Sequence, residues 1–122
     1  MAARPQKFTV TFSASGSVSS ALQIGHLDAR GYGVAIPSAW TAADVGFEVS
    51  DDGTTFVQAA DAEGALLKIT GIGTAAARPY AAPAECWMLG AYKFIRLASL
   101  NTASDAYANQ AAARTVEIIT TW

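Results

Sequence analysis

The sequence has little with which to do covalent chemistry and little charge with which to attract a charged partner. It holds one cysteine, Cys86, in 122 residues. No intramolecular disulfide can form, which excludes a disulfide-stapled secreted scaffold. It also holds one histidine, His26. A single His and a single Cys cannot supply a usual zinc ligand set, so no zinc site is expected. Charged residues make up 15% of the chain and the formal net charge is −2, with no cluster of Lys and Arg. Nucleic acid and anionic membrane surfaces are therefore not expected partners. No apolar run reaches the length of a membrane-spanning helix. Arg4, Pro5 and Lys7 are followed by no apolar h-region, so no secretory signal is expected. The expectation is a chain made in a cytoplasm and soluble until it assembles.

What is present is apolar: 52% of residues are hydrophobic, many of them alanine. A chain of this length makes one domain, residues 1–122, and buries about two thirds of its unfolded surface. A surface so poor in charge favours contact with other protein surfaces over mutual repulsion.

The hydrophobic pattern has a period of two. Phe8, Val10 and Phe12 alternate with Thr9 and Thr11, which predicts a half-buried strand over 7–12. Residues 13–20 are small and polar and read as a loop; 21–24 read as a short strand closed by Gly25. Tyr32, Val34 and Ile36 alternate over 31–36 until Pro37, which cannot donate to a ladder. Trp40 lies among small residues in 38–43, a single helical turn or an irregular crossing. Val45, Phe47 and Val49 alternate over 44–50. Asp51-Asp52-Gly53 is a turn signal, since Gly accepts positive φ and Asp bonds back to the backbone. Residues 54–59 return through Phe56, completing a β-hairpin. Further strands are expected over 65–70, 92–97 and 115–122. Residues 74–83 are expected to be an extended surface loop, and 101–113 a loop or one or two helical turns. About eight short strands with no long helix predict an all-β, two-sheet antiparallel sandwich or jelly roll.

Candidate chemistry is sparse. His26 and Asp28 are two residues apart, as an acid–base pair can be, but no Ser or Cys lies near them in a recognisable nucleophile motif. The plainer reading is a loop histidine. Cys86, between Glu85 and Trp87, reads as a buried free thiol. Asp51, Asp52, Asp61 and Glu63 are the densest acidic group, but their spacing is not that of an EF-hand loop, and turn chemistry accounts for the first two without calcium. Gly71-Ile72-Gly73 lacks the Lys-Ser/Thr of a phosphate loop. No catalytic residue, metal or cofactor is expected. The aromatic residues divide: Trp40 and Trp87 are expected to plug the ends of the sandwich, whereas Tyr80, Tyr107 and Trp122 are candidate interface residues. Arg4 and Pro5, in a candidate N-terminal arm, join them.

Two resemblances follow from these residues. Asp44-Val-Gly-Phe-Glu-Val-Ser-Asp-Asp-Gly-Thr-Thr-Phe56 and Tyr92-Lys-Phe-Ile-Arg-Leu97 resemble the strand–turn–strand and the aromatic–Ile–Arg strand of discoidin (factor 5/8 C-type) domains. That implies an eight-stranded jelly roll. The flanking cysteine pair of many such domains is absent, and their binding loops have no counterpart here, so sugar or lipid binding is not carried over. The run Ile36-Pro-Ser-Ala-Trp-Thr-Ala-Ala43 before the hairpin, with Asn109-Gln110-Ala111 and Arg114-Thr115 near the end, is similar to small virion structural proteins of tailed phages and prophages. This resemblance implies a capsid decoration (cement) protein or a head- or tail-attached fibre or adaptor subunit, made in the host cytoplasm and located in the virion. The implied partners are a major capsid or other virion protein and further copies of the chain, a trimer being the economical closed ring. Residues 1–7 and 74–83 would be its arms and loops. The alternative is a carbohydrate-binding module for a host surface glycan, with an enzyme a distant third.

Overall fold

The structure, a computed structural model, describes residues 6–25, 30–72 and 78–121. His26, Asp28, Arg4, Pro5 and Trp122 lie outside the described residues. Among the described residues nine strands occur, in chain order β1 (Gln6–Phe12), β2 (Leu22–Gln23), β3 (Gly31–Ile36), β4 (Asp44–Ser50), β5 (Val57–Gln58), β6 (Lys68–Ile69), β7 (Arg78–Ala81), β8 (Phe94–Leu100) and β9 (Arg114–Thr121). All pair antiparallel, in two sheets. One sheet has the order β1-β9-β3-β7; the other runs β2-β8-β4-β5, with β6 also on β4. The expected all-β sandwich is thus the observed architecture.

Alternation places the core. Val10 and Phe12 of β1, Val34 and Ile36 of β3, and Val116 and Ile118 of β9 face Val45, Phe47 and Val49 of β4 and Ile95 and Leu97 of β8. Each such side chain, fully buried, contributes roughly 1.5–3 kcal/mol. β3 stops at Ile36, as Pro37 requires. The hairpin after β4 also forms, but its return strand is shorter than the sequence predicts, only Val57–Gln58. The side chains of Ser50 and Asp52 explain this. Asp52 Oδ1 accepts from the backbone N–H groups of Thr54 and Thr55, each at 2.8 Å, and Ser50 Oγ accepts from that of Gly53 at 2.9 Å. These bonds hold 51–55 as a loop instead of a ladder. Gly53 sits at φ +79°, with the Phe94 ring 3.2 Å from where a Cβ would be, so a larger residue would be strained twice over.

Two expectations need correction. Within 74–83, expected to be loop, Arg78–Ala81 is the edge strand β7, with Ala35 opposite Pro79. A strand edge tolerates a proline because the missing N–H need not face a neighbour. Trp87, expected to plug the sandwich, is 64% exposed. It lies on a 3-10 helix, Ala84–Ala91, in which Cys86 and Leu89 are buried. With three residues per turn, positions three apart share a ridge, so burying 86 and 89 turns Trp87 and Met88 outward. Trp40, by contrast, is 1% exposed, as expected. It lies in an irregular turn, edge-on to Phe12 with centroids 5.2 Å apart, and donates its indole N–H to the Ala43 carbonyl at 3.2 Å.

Beside Trp40 hydrogen bonds tie together two segments far apart in sequence. Gln110 is fully buried. Its Oε1 accepts from the Thr41 N–H at 2.8 Å, and its Nε2 donates to the Thr41 carbonyl and to Ser99 Oγ, both at 3.0 Å. Thr41 Oγ1 in turn accepts from Arg114 Nη2 at 3.2 Å and the Ala111 N–H at 3.1 Å. The two segments that carry the virion-protein resemblance, around Trp40 and around Gln110, are therefore partners in one structural contact.

Candidate functional site

The outward side of β4 is unusual. Its residues Asp44 and Glu48 are carboxylates, yet their side chains are only 2% and 1% exposed. Isolated carboxylates cannot be buried so deeply without partners. Glu48 lies opposite Arg96 of β8 in the ladder. Arg96 Nε donates to Glu48 Oε1 at 2.8 Å, and the hydroxyl of Tyr107 donates to Glu48 Oε2. The guanidinium carbon of Arg96 sits 4.2 Å above the Phe56 ring, a cation–π contact. Phe56, Arg96, Glu48 and Tyr107 thus form a continuous chain across the outer face of the five-stranded sheet. Phe56 reaches it from the loop after β4, and Tyr107 from the loop between β8 and β9.

Asp44 anchors a second group on the same face. Lys68 Nζ lies 3.1 Å from Asp44 Oδ2 and bonds Asp105 as well. Asp105, at φ +60°, occupies the left-handed region. Its bond to Lys68 pins the 101–107 loop over the sheet and so sets the position of Tyr107. The hydrogen bond to Asp105 holds the Lys68 ammonium pKa above its ordinary value. The hydrogen bond to the Glu48 carboxylate, followed by burial, raises that of the Tyr107 hydroxyl. Both groups keep their protons at neutral pH.

The two sequence-predicted interface residues that are described, Tyr80 and Tyr107, are not brought together. Tyr107 is on this face and 53% exposed. Tyr80 is on β7 of the other sheet, half-buried and packed against the core, so the two do not share a surface. Arg96, Glu48 and Phe56 were missed. Their signal was present: Arg96 is the outward charged residue of an alternating strand, and Glu48 is a charge between the apolar Phe47 and Val49. What the sequence could not show is that they pair.

Two other features of the surface lie apart from this face. Trp87 and Met88 protrude from the 3-10 helix. The outer face of the four-stranded sheet carries a shallow groove floored by Gly31 and Gly33 and walled by Pro79, Ile119 and Thr121. Among the described residues no group of three or more His, Cys, Asp and Glu is placed to hold a metal. The Cys86 thiol is buried, and burial pushes its pKa up to about 12. At neutral pH it is a thiol, not the thiolate a nucleophile requires. Asp61, like Asp52, is engaged in its own turn, accepting from the N–H groups of Glu63 at 2.8 Å and Ala65 at 3.0 Å. No described helix is long and apolar enough to cross a membrane.

No known family model matches the chain, and no curated protein matches it. Among solved structures it is similar to the SPBc2 prophage-derived protein YomS, with a TM-score of 0.53 over 98% of this chain and 96% of that one. The two sequences are 17% identical, so the similarity is one of fold.

Proposed function

We propose that the chain is a non-enzymatic structural protein of a phage virion. In this reading it is a capsid decoration protein or a head- or tail-attached subunit that stabilises the particle through protein–protein contacts. The observation that carries it is the fold shared, nearly end to end, with a prophage-derived protein. The charge-poor surface and the exposed Trp87 and Met88 support it, since large apolar side chains standing in solvent are the usual anchors of an interface. The partners would be a major capsid or other virion protein and further copies of the chain, most economically in a trimeric ring. The test is the mass of the purified protein in solution, alone and mixed with particles lacking it. A stable oligomer with stoichiometric uptake supports the reading; a monomer that ignores the particle overturns it. The alternative is a carbohydrate-binding module, favoured by one observation: Phe56 and Tyr107 come from two different loops to the Arg96–Glu48 pair, Phe56 against Arg96 and Tyr107 bonded to Glu48.

A further inference from the structure

We propose that Arg96, with Phe56 and Tyr107, forms a recognition site for a carboxylate-bearing sugar, a uronic or sialic acid residue. The inference begins with what the guanidinium has left to give. Its Nε is committed to Glu48, and its terminal nitrogens make no hydrogen bond to any described residue. Those nitrogens form the planar fork that matches a carboxylate with two parallel bonds. The fork is already oriented. Glu48 holds it from below and the Phe56 ring holds its plane at 4.2 Å, so little entropy remains to be lost on binding.

The charge balance selects the kind of anion. Both oxygens of Glu48 are occupied, one by Arg96 and one by Tyr107, and the carboxylate neutralises the arginine. A neutral cluster offers geometry and little net attraction, which suits a single planar carboxylate better than a phosphate dianion. The rings select the scaffold that carries it. Tyr107 is 53% exposed although its hydroxyl is tied to Glu48, so its ring stands in solvent at a fixed angle. Phe56 is half-buried with Arg96 against it. Rigid rings beside a hydrogen-bonding group suit a ligand with C–H faces and a polar edge, as a pyranose has. The site is separate from Trp87, Met88 and the Gly31–Gly33 groove, so it does not depend on the assembly reading, and particle uptake can succeed or fail independently of it.

The test is a titration of the isotope-labelled full chain with sodium glucuronate and, separately, N-acetylneuraminate, followed by NMR. Glucose and acetate serve as controls. Saturable shifts of the Arg96 Nε–H and of the Tyr107 and Phe56 ring signals with an acidic sugar, but not with glucose, are expected. Arg96→Lys keeps the charge and removes the fork; it should weaken binding about tenfold or more, the loss of a charge-assisted hydrogen bond. Tyr107→Phe keeps the ring but frees it from Glu48 and should weaken binding only in part, whereas Tyr107→Ala should lose most of the affinity. No saturable shift with either acid, acetate binding as tightly as the sugars, or wild-type affinity in a folded Arg96→Lys would each overturn the proposal. Should Arg96→Lys not fold, the wild-type titration with its acetate control and Tyr107→Ala still decide it.

Discussion

Trp40 and Trp87 stand at opposite ends of the sandwich and teach opposite lessons. Each lies in a short connection rich in small residues, and each reads from the sequence as an apolar plug. Trp40 meets Phe12, Ala43 and the turn that Gln110 ties down, and is sealed. Trp87 occupies a helix whose buried ridge is already filled by Cys86 and Leu89, and is turned outward. Hydrophobicity is the same in both cases. The difference is whether the local backbone has an inward position left for the ring. One end is therefore closed for stability, and the other presents an apolar side chain to solvent, where only a partner can cover it.

That contrast can be broken or sharpened by substitution. Trp40→Ala should have the largest effect, about 3–5 kcal/mol of lost stability, measured by denaturant unfolding. A loss below about 1 kcal/mol would mean that the end is not sealed. Gln110→Leu keeps the volume but strands the N–H and carbonyl of Thr41, and should cost about 2–3 kcal/mol. An unchanged midpoint would show that water replaces Gln110 freely. Tyr107→Phe removes one of the bonds to the buried Glu48 carboxylate and should cost about 1.5–2 kcal/mol. At the open end, Trp87→Ser should change stability by less than about 0.5 kcal/mol while abolishing any particle uptake; a large destabilisation would put Trp87 in the core after all.

The smallest effect concerns pH. Backbone N–H groups of Thr55 and Thr54 and the Ser50 hydroxyl hold the Asp52 carboxyl at about 2 instead of 3.8. Its folded pKa is depressed, so its contribution is whole above pH 3.8 and is lost as pH falls from 3.8 towards about 2. Because Asp52 is fully exposed, the direct readout is an NMR titration of its side chain. A midpoint near 2 is expected, and one at 3.8 would mean the loop bonds are absent in solution.

Much of the fold was legible because a half-buried strand writes a period of two into the chain. Val10 and Phe12, Val34 and Ile36, and Val45, Phe47 and Val49 are each buried on the side their spacing predicts. The Asp51-Asp52-Gly53 turn was legible for a related reason, since its bonds run between residues at most three apart. β7 was not, because proline and alanine carry little strand preference and its pairing with β3 spans 42 residues from Ile36 to Arg78. The candidate site was legible only in Tyr107.

Local interactions, then, were determined by the sequence alone: strand faces, the ends imposed by Pro37 and Gly53, and the scarcity of reactive groups. Their energies depend on neighbours within a few residues, and a pattern can carry that. The tertiary structure decided everything that depends on which distant groups meet. Glu48 is 48 residues from Arg96 and 59 from Tyr107, and Gln110 is 69 from Thr41. A buried carboxylate or amide must find a partner, but the choice of partner belongs to the packing of two sheets, and so does the choice of which tryptophan is left in water.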